Sequence, residues 1–224
     1  TNDASVLPNK TALKYQKLGL NINTNNIITS GCALKLFFKE KSLLNSKCII
    51  IGNNDTIKYV ENAGGIYVSP QDDFDTLIIG DQSGFQFTKT INSVINSVFN
   101  KINKDEFINI ILLNPDVIFP IKLNTWAYGP ATIAIIIEEA IKYNFPTWTN
   151  YKLFRIGKPY KYLFEIVYKL TLTNNMVMLG DQIMTDIKGA NQFGIDSVLI
   201  NPQNQILKSQ ELDSDLMPNF TMNL

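Results

Sequence analysis

The chain has 224 residues, of which 45% are hydrophobic and 18% charged, so it can form one large or two small domains with a sizeable core. Its 20 basic and 20 acidic residues give a formal net charge of zero, which offers no general attraction for nucleic acid. The absence of histidine excludes Ser-His-Asp and Cys-His catalysis and zinc sites built on histidine. Any chemistry must use other polar side chains or a metal ion.

Strand and helix patterns alternate along the first half of the chain. Pro8 stands where a first helical turn would begin, and the apolar spacing that follows predicts a helix that ends at Gly19. The next patterns predict, in chain order, a strand over 26–29 that reaches Ser30, a helix over 31–40, a buried strand over 47–52 and a helix over 55–65.

The second half continues the alternation. An amphipathic helix is predicted over 88–102, with one apolar face formed by Ile91, Val94, Ile95, Val98 and Ile102. The other predicted elements are strands over 75–80, 107–113, 176–180 and 196–200, and helices over 131–143, 160–170 and 185–194, of which the first should be largely buried. Residues 214–224 are expected to pack irregularly. Strands that alternate with helices indicate an α/β fold with parallel sheets, whose ligands bind at the carboxyl ends of the strands.

Three polar residues follow predicted strands, namely Asn114, Asp116 and Asp181. In the segment "VMLGDQIMTDIKGANQFGIDSVLI", Asp181 follows an apolar strand, and Gly180 leaves room for another group to approach closely. Asp186 comes five residues later, near a helix start. Two aspartates in this position could hold Mg²⁺ against a phosphate, or could simply cap the helix.

Two further segments are candidates for anion binding. Lys158 precedes Pro159 at the entrance of a predicted helix, where an ammonium and backbone N–H groups could bind an anion, although a plain surface lysine fits the pattern as well. Thr1 and Asn2 could donate hydrogen bonds to phosphate oxygens, but a segment at the end of a chain is weak evidence by itself.

The order of these motifs resembles a known family. Read together, "TN", "IITSG", "LNPD", "GPATIA", "IGKP", "LGDQIMTDIKGANQFGIDSVLI" and "LMPNF" resemble the haloacid dehalogenase-like hydrolases, and in particular the subclass of NagD and the 4-nitrophenylphosphatases. The resemblance covers essentially the whole chain. It implies a Rossmann-like parallel-sheet core interrupted by an α/β cap, with the core at 1–47 and 150–224 and the cap at 48–149.

The resemblance also implies roles for individual residues. Lys158, Asp181 and Thr1 would be catalytic, with Thr1, Asn2 and Lys158 binding the phosphoryl group. Asp181 would bind Mg²⁺, and Asp186 would support the metal site. The remaining substrate-binding positions are Gln182, Ile183, Met184 and Thr185.

The family's nucleophile is the first aspartate of a DxD motif, which lies on the strand before the Thr-Asn pair. No residue of this sequence corresponds to it, and Asp3 lies on the wrong side of the pair. We therefore expect the motif upstream of Thr1, in a Mg²⁺-dependent phosphatase that acts on small phosphate monoesters through an aspartyl-phosphate. The alternative is a catalytically inactive relative that binds a phosphorylated metabolite. A nucleotide-binding oxidoreductase is disfavoured because no G-x-G-x-x-G follows a strand.

The remaining expectations concern partners and location. No apolar run is long enough to span a bilayer, and the first residues do not resemble a signal peptide, so a cytoplasmic protein without a membrane partner is expected. Cys32 and Cys48 are predicted to be buried free thiols. The predicted partner is a small phosphorylated metabolite rather than nucleic acid, and a cap with apolar helices could form a homodimer.

Overall fold

The computed structural model describes residues 1–122, 124–200 and 213–223. The chain divides into two compact units, Thr1–Ile156 and Gly157–Leu224, and each has its own parallel sheet. The predicted α/β class is therefore confirmed. The division into core segments 1–47 and 150–224 around a cap at 48–149 stays a prediction.

The first unit is built on a five-stranded parallel sheet with the strand order β2-β1-β3-β4-β7. Its strands are β1 (Lys47–Ile51), β2 (Ile66–Tyr67), β3 (Thr76–Ile79), β4 (Ile108–Leu112) and β7 (Tyr151–Arg155). The central strand β3 is buried along its whole length. Parallel strands buried on both faces read as continuous apolar runs, and "TLII" in β3 and "INIIL" in β4 have that character.

Five α-helices lie in the described part of the first unit. They are α1 (Pro8–Lys17), α2 (Ser30–Glu40), α3 (Asn54–Asn62), α4 (Phe87–Ile102) and α5 (Pro130–Asn144). The apolar faces of α4 and α5 pack with the sheet in one core cluster, which includes Val94, Val98, Ile133 and Ile137. The amphipathic pattern of α4 is thus satisfied by the sheet, as the sequence predicted.

A two-stranded antiparallel hairpin interrupts the path from β4 to α5. Its strands are β5 (Ile118–Lys122) and β6 (Thr125–Tyr128), with an irregular register between Pro120 and Lys122. Gly129 closes the hairpin, because its N–H donates to the carbonyl oxygen of Val117 at 2.7 Å.

The second unit has a three-stranded parallel sheet with the order β10-β9-β8. The elements are β8 (Val177–Gly180), β9 (Asp196–Ile200) and β10 (Phe220–Met222), with the helices α6 (Tyr162–Thr171) and α7 (Lys188–Phe193). A π-helical turn, Ile183–Ile187, joins β8 to α7. Ile183, Ile187 and Leu199 form a small core, and the rings of Phe164 and Phe193 stack with centroids 5.4 Å apart.

One predicted strand is wrong, and several observed strands were not predicted. Residues 27–29 form no strand, because Asn23 and Asn26 build a capped 3₁₀ turn and the Thr29 side chain caps α2. These local polar bonds outweigh the β propensity of two isoleucines. The sequence also missed β2, the hairpin, β7 and β10, the last within a segment predicted to be irregular. Cys32 and Cys48 are free thiols, but only Cys48 is fully buried. Among the described residues, no helix is both long and apolar enough to cross a bilayer.

Candidate active site

The carboxyl end of β8 is built around the side chain of Asp186. A Cβ atom added at Gly180 would overlap the Asp186 carboxylate, so only glycine fits at the last position of the strand. This confirms the prediction that Gly180 admits another group, and it identifies that group. The π-helical turn brings Asp186 back towards the strand from which the chain has just emerged.

Asp186 is buried and forms an ion pair with the Lys158 ammonium. The Asp186 side chain is 6% exposed and that of Lys158 14%, so water screens the pair only weakly. Asp186 also accepts a hydrogen bond at 3.2 Å from the backbone N–H of Gln182, in the peptide unit that follows Asp181. One buried carboxylate therefore ties the candidate anion-binding lysine to the backbone beside the candidate metal ligand.

Lys158 lies in the turn between β7 and α6, where a cis peptide bond joins it to Pro159. The turn packs on the start of α7, because a Cβ atom added at Gly189 would lie 2.7 Å from the Phe164 ring and 3.0 Å from Cα of Pro159. Both glycines of the "LGDQIMTDIKGAN" segment are thus explained sterically, because a side chain at either position would overlap a neighbouring group. They allow the lysine turn and the aspartate turn to approach each other.

The residues between the two aspartates have different environments. Asp181 and Met184 are exposed, whereas Ile183 is buried in the core of the second unit. The Thr185 hydroxyl donates to the Gln182 side-chain oxygen at 3.1 Å. The substrate-binding role of these positions stays a prediction, and the burial of Ile183 shows that its side chain also serves packing.

Thr1 and Asn2 belong to the first unit. The Thr1 carbonyl accepts from the N–H of Ser30 at 3.0 Å, and the Ser30 hydroxyl donates to the Asn2 carbonyl at 2.9 Å. Asn2 is only 6% exposed, and its side-chain amide donates to Asp116 Oδ1 at 3.1 Å. Sequence reasoning noted Asp116 only as a polar residue at a strand end and assigned Ser30 nothing, although both lie in the quoted motifs "LNPD" and "IITSG".

The described residues offer few ligands for a magnesium ion. In the described part of the chain, no three histidine, cysteine, aspartate or glutamate residues form a group that could hold a metal by themselves. Mg²⁺ is usually bound by one or two carboxylates together with water and substrate phosphate. Asp181 is an exposed residue whose carboxylate fits such a site. The Asp186 carboxylate is paired with Lys158.

Comparisons with known families match both ends of the chain. The sequence model described as "Haloacid dehalogenase-like hydrolase" matches residues 1–66, and a second, described as HAD-hydrolase-like, matches residues 155–205. The first match contains Thr1 and Asn2, and the second contains Lys158, Asp181 and Asp186. Residues 201–205 of the second match lie outside the described residues.

Individual relatives agree with these matches. A dihydroxyacetone phosphatase of Corynebacterium glutamicum is 24% identical over 204 residues, which cover 89% of this chain and 66% of that protein. A p-nitrophenyl phosphatase from Archaeoglobus fulgidus superposes with a TM-score of 0.74 at 19% identity, over 99% of this chain and 80% of the other. A glycerol phosphate phosphatase from Mycobacterium tuberculosis, in complex with magnesium, has a TM-score of 0.77 at 17% identity, over 100% of this chain and 64% of its own.

Proposed function

The chain belongs to the haloacid dehalogenase-like hydrolases, and we propose that the protein containing it is a phosphatase that hydrolyses small phosphate monoesters. The observation that carries the proposal is the buried Lys158–Asp186 ion pair beside Asp181, at the carboxyl end of a parallel strand. An ammonium held in this way can neutralise phosphoryl oxygens, because its position does not depend on the substrate.

In the proposed reaction, an aspartate of an upstream DxD motif attacks phosphorus and the ester oxygen leaves with a proton from the second aspartate. Water then gives a proton to the second aspartate as it attacks the aspartyl-phosphate, which releases inorganic phosphate and restores both aspartates. Lys158 would neutralise charge on the phosphoryl oxygens, and Thr1 and Asn2 would donate hydrogen bonds to them. The DxD strand could pair with the open edge of β8, since β8 pairs with β9 alone among the described strands. Val177 and Leu179 of β8 are half-exposed.

A bound Mg²⁺ would add charge neutralisation at the phosphoryl group. Asp181 would be its ligand from this chain. Asp186 would act through its neighbours, because it accepts from the Gln182 N–H next to Asp181 and pairs with Lys158. The magnesium complex of the glycerol phosphate phosphatase relative supports this choice of ion.

The substrate class in this proposal is a small phosphorylated metabolite. The names of two relatives, a dihydroxyacetone phosphatase and a glycerol phosphate phosphatase, support trials with three-carbon phosphates. The family's cap would close over the substrate and exclude bulk water. A reducing, cytoplasmic location is part of the same proposal and is supported by two free thiols, Cys32 and Cys48.

Replacement of Asp181 tests the proposal. In the full-length protein, Asp181→Asn should lower kcat by about 10²–10³-fold, because each lost charge-stabilising group costs roughly 3 kcal/mol of the transition state's stabilisation. Phosphate release is measured from 4-nitrophenyl phosphate, dihydroxyacetone phosphate and glycerol phosphate, with and without Mg²⁺. Asp196→Asn, at an exposed position of the same unit, is the matched control and should keep normal turnover.

Two outcomes would overturn the proposal. Near-normal turnover by Asp181→Asn would remove the assigned role of that residue. A full-length protein that binds inorganic phosphate but releases none from any ester would be a binding protein on this fold, and apolar or basic residues in place of the upstream DxD would lead to the same conclusion.

A further inference from the structure

The side chain of Asn2 is buried and held by a residue 114 positions away in the sequence. Its amide nitrogen donates to Asp116 Oδ1 at 3.1 Å. An asparagine side chain has a donor end and an acceptor end of almost equal size, whereas an ionised aspartate only accepts. The Asp116 carboxylate therefore keeps the N–H end of the Asn2 carboxamide, rather than the oxygen end, facing it.

Asp116 is well placed to impose this orientation because its own backbone is fixed. Its N–H donates to the Asn114 side chain at 2.9 Å, and its carbonyl accepts from the N–H of Ala131, at the start of α5, at 3.3 Å. Gly129 packs directly against the Asp116 carbonyl, where a Cβ atom would overlap that oxygen. The "NPD" turn and the first turn of α5 thus form a rigid support for the carboxylate.

The backbone around Asn2 is held by a different set of residues. Buried or half-buried side chains donate to all five carbonyl groups of residues 2–6. The Ser30 hydroxyl donates to Asn2 at 2.9 Å and to Asp3 at 3.2 Å. The other three bonds, at 2.7–2.9 Å, run from Thr56 to Ala4, from Asn53 to Ser5 and from Tyr59 to Val6. Loss of the Asp116 carboxylate would therefore remove the acceptor of this amide hydrogen bond while the main chain of the segment stays in place.

We propose that Asp116 is a positioning residue that orients the Asn2 carboxamide for the phosphoryl group. The inference rests on the proposed function, since it takes Asn2 as a phosphate-binding residue. Without the carboxylate, the charge that holds the N–H end of the carboxamide is lost, and its oxygen can turn towards an anion that needs N–H donors. Asp116 acts through Asn2 and takes no part in bond breaking.

The test uses the full-length protein and 4-nitrophenyl phosphate. Asp116→Ala should raise KM about tenfold with kcat little changed, because a misoriented binding group weakens ground state and transition state alike. Asp116→Asn has the same shape and keeps an acceptor oxygen without the charge, so a smaller rise of about threefold is expected. The Asp116→Asn variant tests the same inference if Asp116→Ala does not fold. Asp72→Ala removes the carboxylate of a different loop aspartate, which accepts from the Ser69 N–H at 3.0 Å, and should leave KM unchanged.

A double-mutant cycle separates positioning from a merely structural role. In an Asn2→Ala background, Asp116→Ala should change KM less than twofold, since the side chain that it orients is gone. A tenfold effect that persists in that background, or a KM within twofold of wild type for the single variant, overturns the inference. If the wild-type protein releases no phosphate, the proposed function fails. Asp116 is then judged by calorimetry with inorganic phosphate, where unchanged affinity in Asp116→Ala overturns its assignment.

Discussion

Breaking the Lys158–Asp186 ion pair from one side should destabilise the second unit by about 3 kcal/mol. Removal of one partner of a buried ion pair costs roughly 3–5 kcal/mol, because the other charge is left buried and unpaired. The Lys158 side chain is 14% exposed, so water can relieve part of that cost and the lower figure applies. Asp186→Asn keeps the shape of the side chain, and Lys158→Met keeps its apolar stem, so neither change opens a large cavity.

The assay is urea denaturation of the full-length protein, followed by circular dichroism and by hydrogen exchange of peptides from the second unit. Each single variant should lose about 3 kcal/mol of unfolding free energy. The double variant should lose less than either single one, since it leaves no unpaired charge. Losses below about 1 kcal/mol in both single variants, or a double loss equal to their sum, would show that the two groups do not stabilise each other.

Two further predictions follow from side-chain contacts. Gly180→Ala should destabilise the second unit about as much as Asp186→Asn, because the new methyl group displaces the Asp186 carboxylate. The control is Gly194→Asn, at a position with φ +81° and no neighbour within 4 Å. It should lower the unfolding free energy, measured by urea denaturation, by less than about 1 kcal/mol. Burial raises the pKa of the Asp55 carboxyl, but hydrogen bonds from Lys10 and from the Leu7 N–H outweigh this and lower the pKa below its ordinary value of 3.8. The resulting stabilisation is present above pH 3.8 and is lost as the pH falls through the lowered pKa. The Lys10→Met variant should therefore lose less unfolding free energy at pH 3 than at pH 7. A loss that does not change with pH would contradict this.

The repeated elements of the fold could be predicted because their causes are local. The 3.6-residue spacing of apolar side chains in α4 and the short apolar runs of β1, β3 and β4 each require a buried face, and the structure provides one. The failures were also local in origin. The two isoleucines of residues 26–29 favour a strand, but side-chain capping by Asn23 and Thr29 prevents one. The hairpin was not predicted because its register is irregular between Pro120 and Lys122.

The candidate site was predicted as a set of residues but not as a set of contacts. The position of Asp181 after an apolar strand and the small size of Gly180 follow from the order of residues. The partner that fills the space beside Gly180 is Asp186, and it arrives there only through a π-helical turn, a rare conformation that no sequence pattern indicated.

By itself, the sequence determined that the chain is α/β, which residues end its strands and which side chains could carry charge to a phosphate, because periodicity and residue type depend on near neighbours. Only the tertiary structure decided which of these groups meet. Lys158 pairs with Asp186 across 28 residues and Asn2 with Asp116 across 114, and such pairs form because packed strands and turns bring distant backbone segments together. No local rule of spacing contains that information.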